Sequence, residues 1–558
     1  PVNSIDRLIE NLVIARESGD TPGGGVPRGP ASCRAALESP TVEGAAVDVP
    51  SLMRQAVQFN TDRQAIITEN ETLTFVQMWD RGVRLANGLI ELGVGPGDRV
   101  AGLEDNNLGA ADLFLGCAIA GAVRVPLYAR NRRLSHRQMI EQTQVKVLLT
   151  DRAYLDDVAG LENDVLSLDH IVDRGDGYEA WLSTQSDVDP LVQVGPDDWY
   201  VIRHSAGTTG KAKGVGYTQH DWLVNCRNWY YRLPNLERDS VVGHAGPISH
   251  ASGYLFLPAW LHGSANLLFG AFEAGKVLTM MRHHGVTHTF APPSMLAALA
   301  AHPDANVADQ PALQCLLIGG APSTDATILA GRRVFGDVLY QVFGQTEAVP
   351  LTIMTPEEWF AQVPGSTPLR AAGRPLPFAQ LEIRDDAGRP LPLGEIGEIW
   401  AKVEAQLRTF WADEVATAER LVDGWVRTRD IGRLDANGYL YVLDRADDMI
   451  VSGGFNIWPA ELETVIEDHP DVIEVAVFAV PHERWGETPM AVCCVRPDAQ
   501  VTSEEIIELV CTALGSYKKP SVVQFTSDPL PKSPVGKLLR KALRDPHWEG
   551  HERRVGGA

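Results

Sequence analysis

The densest chemistry in the chain lies in ten residues, Ser205-Ala-Gly-Thr-Thr-Gly-Lys-Ala-Lys-Gly214. Small residues such as Gly207 and Gly210 let the backbone turn tightly, so that its N–H groups converge on an anion. The hydroxyls of Ser205, Thr208 and Thr209 add donors, and Lys211 and Lys213 add positive charge. That is the chemistry of a triphosphate cradle. It is not a Walker loop, because the spacing GxxxxGK[ST] is absent. The plainer use of the same string is a solvated Gly/Thr turn between a strand and a helix.

Four further segments hold groups that a nucleotide could use. In Val342-Phe-Gly-Gln-Thr-Glu347 the Phe343 ring can stack on a purine, the Thr346 hydroxyl can meet phosphate, and the Glu347 carboxylate can hold Mg2+, which prefers oxygen. Gly319-Gly-Ala-Pro322 suits a backbone-lined slot for a flat base. Asp430, in Trp425-Val-Arg-Thr-Arg-Asp430, can accept from both ribose hydroxyls, and Arg445, in Asp444-Arg-Ala-Asp-Asp-Met-Ile-Val-Ser-Gly-Gly454, can bind sugar or phosphate oxygens. Pro531-Lys-Ser-Pro-Val-Gly-Lys-Leu-Leu-Arg540 carries two prolines and a glycine, and reads as an exposed loop that projects Lys537. Taken singly, each is also consistent with a strand end or a charged surface turn.

These segments need strands to aim them. Arg99–Leu103, Val145–Leu149, Trp199–Ile202, Thr287–Ala291, Leu313–Ile318 and Val338–Phe343 read as short buried strands, several ending in glycine, with helices between them. That pattern predicts an α/β class, with ligands gathered at the strand ends. A second, α+β unit is expected from about Asp444: a helix over Pro459–Glu467, strands over Val472–Val480 and Met490–Val495, and a helix over Ser503–Leu514 capped by Ser503. The 558 residues exceed what one core usually organises, so a large domain over 50–443 and a small one over 448–545 are expected. Residues 1–49 read as an amphipathic helix (Ile5, Leu8, Ile9, Leu12, Val13) followed by a Gly/Pro linker, and 546–558 as a tail. That helix is expected to dock on the protein's own core or on a second copy in a homodimer.

Lys plus Arg total 49 against 72 Asp plus Glu, a formal charge of -23. Such acidity argues against nucleic acid as a partner, although a local cluster of donors can still hold a small anion. The seven cysteines include no CxxC pair, and Cys493 and Cys494 are adjacent in an apolar run where a strand would send them to opposite faces. A reducing cytoplasm with no disulfide or zinc is expected. No apolar run reaches the roughly 18 residues of a membrane span, and no signal peptide opens the sequence.

In their order and separations, from about residue 50 to 545, these segments resemble the adenylate-forming superfamily of acyl-CoA synthetases, peptide-synthetase adenylation domains and luciferases. The resemblance implies a large layered α/β adenylate-forming domain and a small mobile α+β domain, with ATP, Mg2+ and CoA as cofactor and co-substrates. It gives Ser205, Gly207, Thr208, Thr209, Gly210 and Lys213 to the phosphate loop. Thr346 and Glu347 become the phosphate and magnesium contacts. Gly320, Ala321, Pro322, Phe343, Gly344 and Gln345 would fall in the ATP/AMP site, with Phe343, standing where Tyr is usual, stacking on adenine. Asp430 and Arg445 would hold the ribose. Lys537 would bridge the substrate carboxylate and the α-phosphate, Asp447 would be the hinge within 444–447, and Gly453 and Gly454 would pass the pantetheine arm. His250 and Gly319 fall in the acyl pocket, His250 as its gate or as a hydrogen-bonded wall residue.

The sequence also departs from the family pattern. Ala206 replaces Ser, Ala212 replaces Pro, Arg429 replaces the Gly of a T-G-D motif, and Asp444 replaces the Gly before Arg445. Lys537, Glu347 and Asp430 remain. The stretch Gly243-His-Ala-Gly-Pro-Ile-Ser-His-Ala-Ser-Gly-Tyr254 has no acid for a substrate ammonium, which disfavours an α-amino acid. The run Ser452-Gly-Gly-Phe-Asn-Ile-Trp-Pro-Ala-Glu-Leu-Glu463 looks most like bacterial acyl- and aryl-CoA ligases. The expected activity is therefore ATP-dependent activation of a carboxylic acid to an acyl-adenylate, followed by transfer to CoA. A non-CoA acceptor (an amine or a carrier thiol) stands as the alternative, and a catalytically weak nucleotide-binding protein as a third reading.

Overall fold

Short strands, many of them buried along their whole length, pair into four sheets, and the helices between them fill the layers. The computed structural model describes residues 47–549, apart from 130, 132, 206–211, 307–309, 322, 446–447, 453–454, 458, 483–485, 517 and 533–537. The amphipathic segment and linker expected before residue 47, and the tail beyond 549, lie outside the described residues.

An eight-stranded sheet runs Ala348–Met354, Leu339–Gln345, Cys315–Gly319, His288–Ala291, Val241–His244, Ala265–Leu268, Gln64–Ile67 and Thr72–Thr74. Its six inner strands are parallel, and the two edge strands antiparallel. A six-stranded sheet runs His170–Asp173, Val145–Thr150, Arg99–Leu103, Val123–Pro126, Trp199–Ser205 and Lys213–Thr218, antiparallel only in its last pair. The largest core lies between these sheets. Phe75–Glu91, Leu108–Ile119, Gln219–Trp229 and Gly253–His262 supply its helices. Leu108–Ile119 is buried on nearly every side, as a helix enclosed by two sheets must be.

Alternation along single strands shows the layering. Cys315 and Leu317 enter the central core, while Leu316 and Ile318 meet the outer helices Ala274–His284, Pro293–Ala301 and Asp325–Phe335. A five-stranded antiparallel sheet (Ala379–Arg384, Gly397–Val403, Leu421–Val422, Trp425–Leu434, Leu440–Arg445) adjoins this body. Asp444 and Arg445 are its last two strand positions.

The C-terminal unit is a second five-stranded sheet covered by Pro459–Glu467 and Ser503–Leu514. Cys493 packs under these helices and Cys494 on the opposite face with Phe478 and Leu530, as strand alternation requires. One expectation shifts by a residue. The cap of the second helix is Thr502, not Ser503: its hydroxyl accepts from Glu505 N, and the Glu505 carboxylate accepts from Thr502 N at 2.8 Å. A reciprocal pair of this kind satisfies two orphan donors, which Ser503 would not achieve. Among the described residues no helix is long and apolar enough to cross a membrane.

Three buried histidines have a thermodynamic consequence. Burial lowers His204 to about 3 and His244 and His288 to about 4. All three are neutral when folded, whereas the unfolded chain binds protons below about pH 6.5. The stability they contribute is thus present above that pH and lost as pH falls toward 4. Thermal unfolding followed from pH 7 to 4.5 is expected to show Tm falling, with His204→Leu reducing the proton uptake by about one. A slope unchanged in that variant would contradict the assignment.

Candidate active site

Adjacent parallel strands of the large sheet end side by side, and their ends carry the predicted nucleotide residues. Cys315–Gly319 and Leu339–Gln345 pair in parallel with Gly319 opposite Val342. A Cβ on Gly319 would lie 2.7 Å from the Val342 carbonyl oxygen, so only glycine lets the strands close there. Gly320 follows at φ +86°, which turns Ala321 out of the strand. Phe343 is half-buried between two cores, and Gly344 sits at the irregularity where the strand turns back toward Ala348–Met354.

Gln345 opposes Ala348, so Thr346 and Glu347 form the two-residue tip of a hairpin. The Gln345 amide donates to Thr428 O at 2.8 Å and to Asp430 Oδ2, which joins this hairpin to the neighbouring antiparallel sheet. Asp430 is buried, and Arg445 stands opposite it in the register of Trp425–Leu434 with Leu440–Arg445.

Glu347 is 4% exposed. Arg420, at the end of the helix Glu414–Arg420, places Nη2 3.0 Å from Gln345 Oε1 and 3.5 Å from Glu347 Oε1. The Glu347 carbonyl accepts from Leu407 N at 2.7 Å. Four residues further along, Trp411 N donates to Gly214 O at 2.7 Å, so one stretch braces both the hairpin and the strand after the phosphate-type loop.

That loop closes a hairpin between two antiparallel strands, Trp199–Ser205 and Lys213–Thr218, rather than joining a strand to a helix. Ser205 and Lys213 face each other across its base, and the Lys213 ammonium lies 5.3 Å over the Phe410 ring. Tyr217, on the outgoing strand, donates to Thr346 O and brings the two hairpins together.

His250 lies in the turn before Gly253–His262. Its N donates to Pro247 O at 2.9 Å, its Nδ1 accepts from Arg203 Nη2 at 3.2 Å, and its ring meets Tyr128 edge-on at 5.5 Å. Asn106 clamps the preceding loop, with Nδ2 donating to His244 O and Gly246 O and Oδ1 accepting from Ile248 N.

The structure therefore gathers Gly319, Gly320, Ala321, Phe343, Gly344, Gln345, Thr346 and Glu347 at adjoining strand ends of the eight-stranded sheet. Asp430 is tied to them from within Trp425–Leu434 through Gln345, Ser205 ends a strand of the six-stranded sheet whose hairpin reaches Thr346 through Tyr217, and His250 bonds Arg203 on that same strand. Gly207, Thr208, Thr209, Gly210, Pro322, Asp447, Gly453, Gly454 and Lys537 lie outside the described residues. The base of the Lys537 loop is held: Lys532 bridges Leu538, Leu539 N donates to Pro531 O at 2.8 Å, and Arg540 bonds Glu463 and Asp448. The sequence reading missed Arg420, Tyr217 and Asn106. Each acts on a residue far away in the chain, and no short spacing marks them.

Arg429 acquires a physical account. It sits at φ +60°, in the left-handed region that favours glycine, and its N–H donates to Glu398 Oε1 at 3.2 Å. The backbone turn that aims Asp430 is thus kept despite the side chain.

The sequence matches the AMP-binding enzyme family over residues 52–411 and the AMP-binding enzyme C-terminal domain over 461–537. It is 35% identical to a feruloyl-CoA synthase of Amycolatopsis sp, over 85% of this chain and 93% of the relative. It is 30% identical to the fatty acid–[acyl-carrier-protein] ligase ScoC of Streptomyces coeruleorubidus, over 88% of this chain and 95% of that one. Among solved structures, the amide bond synthetase McbA from Marinactinospora thermotolerans superposes with a TM-score of 0.79 at 27% identity, over 89% of this chain and 99% of that one.

Two substitutions test the geometry. Arg420→Ala removes the cation shared by Gln345 and Glu347 and is expected to lower pyrophosphate release at saturating ATP, with a loss of up to about 3 kcal/mol of stability read as a fall in Tm. Full activity in that variant would dismiss the bracing role. Arg429→Gly relieves a left-handed side chain and is expected to stabilise the fold by about 1 kcal/mol, read as a rise in Tm.

Proposed function

The chain belongs to the AMP-binding enzymes, and from that premise we propose that it activates a carboxylic acid with ATP, releases pyrophosphate, and passes the acyl group to coenzyme A. The observation that carries this reading is the Thr346–Glu347 hairpin tied through Gln345 to Asp430, set at parallel strand ends. Phe343 and the Gly319–Ala321 segment take the adenine, and Asp430 and Arg445 take the ribose. Ser205, the loop 207–210 and Thr346 take the phosphates.

Glu347 fits a Mg2+ site. Among the described residues no cluster of three His, Cys, Asp or Glu could hold a metal, and Mg2+ is ordinarily held by one or two carboxylates together with phosphates and water. Bound there, the ion would neutralise phosphate charge as it develops. The carboxylate oxygen of the substrate attacks the α-phosphorus, the bond to pyrophosphate breaks, and Lys537 bridges the two anions that must meet. The acyl carbonyl then receives the CoA thiol, and AMP leaves. Rotation of the small domain, 448–545, about Asp447 within 444–447 would withdraw Lys537 and bring in Gly453 and Gly454. The large domain is 50–443, and His250 and Gly319 border the acyl pocket. This reading places the reaction in a reducing cytoplasm.

A second reading, with a carrier thiol or an amine as acceptor, is favoured by the likeness to a fatty acid–[acyl-carrier-protein] ligase and to an amide bond synthetase.

Pyrophosphate release across a panel of acids, with and without CoA and with products read by mass spectrometry, separates these readings. Acyl-CoA is expected; release that ignores CoA would shift the acceptor, and silence across the panel would refute activation. Lys537→Ala is expected to lower adenylation about 10²–10³-fold. The same variant should still thioesterify a supplied acyl-adenylate.

A further inference from the structure

A guanidinium buried without an acid is an incomplete arrangement, because removing a charge from water is offset only by a counter-charge or several hydrogen bonds. Arg203 is in that position. It is 2% exposed on Trp199–Ser205, two residues before the phosphate-type loop begins, and strand alternation puts its side chain on the same face as Ser205. Among the described residues its single hydrogen bond goes from Nη2 to His250 Nδ1, 3.2 Å away, and no carboxylate lies within ion-pair reach. The Tyr254 ring lies 4.4 Å from it and the Trp222 ring 5.8 Å. These faces attract a cation but do not neutralise it.

The neighbouring strand deepens the deficit. Arg124, on Val123–Pro126, pairs in register with Val201 and so shares the face of Arg203. It is also buried, stacked 3.5 Å over Phe114, with no acid in ion-pair reach among the described residues. Glu104, whose charge reaches Arg124, is already paired with Arg174. Two adjacent strands therefore carry buried positive charge on one face of their sheet, and the charges of Arg203 and Glu347 both act on Tyr128 and Tyr217.

We propose that Arg203 is the counter-charge for a second acidic group on the substrate, so that this chain acts on dicarboxylic acids. The inference rests on the reading that the chain activates a carboxylic acid in a pocket bordered by His250. The second group, rather than the reacting one, follows from charge balance. The reacting carboxylate loses its formal charge when it becomes an acyl-adenylate, whereas Arg203 stays buried and charged through every step. Only a spectator anion compensates it throughout. The absence of acids in Gly243–Tyr254, which disfavours a substrate ammonium, agrees with a pocket built for negative charge.

The test compares aliphatic monoacids with α,ω-diacids of equal length, from malonate to sebacate, and benzoate with its ring-carboxylated derivatives. Full-length wild type and Arg203→Leu are compared by pyrophosphate release and by acid-induced shifts in Tm. Wild type is expected to prefer the diacid in at least one matched pair. In Arg203→Leu the diacid-over-monoacid ratio of kcat/KM should fall by about 100-fold, and the diacid should no longer raise Tm. Should Arg203→Leu fold poorly, Arg203→Lys is expected to keep a weakened diacid preference. A wild type that prefers the monoacid in every pair overturns the proposal. So does equal loss of both classes, which would place Arg203 at the reacting carboxylate. Diacid binding that depends on Arg203 without any pyrophosphate release would instead refute activation and leave the anion site standing.

Discussion

One side-chain amide holds together the proposed active site. Gln345 ends a parallel strand of the eight-stranded sheet, and its Nε2 reaches Thr428 O and Asp430 Oδ2 on a different sheet. Its other atom, Oε1, accepts from Arg420, whose guanidinium also approaches Glu347. The ribose-type carboxylate and the metal-type carboxylate are therefore indexed to each other through a single planar group. Hydrogen bonds to charged partners are the strong ones, and at a site shielded from water they also fix direction. The glycines around it serve the same end, because strands separated by any Cβ at Gly319 could not bring Phe343 beside Gly320.

The rest of the site is braced from behind. The stretch from Leu407 to Trp411 touches Glu347 with one backbone N–H and Gly214 with another. Tyr217 spans from the phosphate-type hairpin to Thr346. The strand that leaves the anion loop and the carboxylate hairpin, on two different sheets, thus share a common frame. Beside that frame the interior holds unusual charge: Arg203 and Arg124 are buried on adjoining strands, and His204, His244 and His288 are held neutral by burial. His244 is the best served, with Nε2 donating to Asn266 Oδ1 and Nδ1 accepting from Ser252 Oγ, each at 2.8 Å. A core with this many ionisable groups works only where each has a partner, a reason to remain uncharged, or a ligand that supplies the missing charge.

Much of the fold was legible locally. The helix Pro459–Glu467 begins and ends where its proline and apolar spacing put it, and Arg99–Leu103 is a strand over the residues read as one. The two-residue period also placed Cys493 and Cys494 on opposite faces. The strands leading into glycine segments extend a few residues further than the sequence suggests, to Ser205 and to Gln345, because pairing with Lys213 and Ala348 continues the ladder into the turn. Two hydroxyl residues competed for one cap, and Glu505 decided it for Thr502 through a reciprocal bond. A family-atypical Arg429 was visible in the sequence, but its meaning was not: only the backbone shows that the position has positive φ.

What the sequence determined by itself was the vocabulary of the site: which turns are glycine-rich, which strand ends carry a Thr–Glu or an Asp, and that the chain is a member of its family. Those signals are local, since propensity, alternation and turn chemistry act over a few residues. What tertiary structure decided was the grammar. Arg420 reaches Gln345 across 75 positions, Gln345 reaches Asp430 across 85, and Asn106 pins a loop some 140 residues away. Arg203 became notable only when its surroundings proved to contain aromatic rings and a histidine but, among the described residues, no acid in ion-pair reach. Such pairings follow from which sheet faces meet, and that is settled by the burial of a whole core rather than by any spacing along the chain.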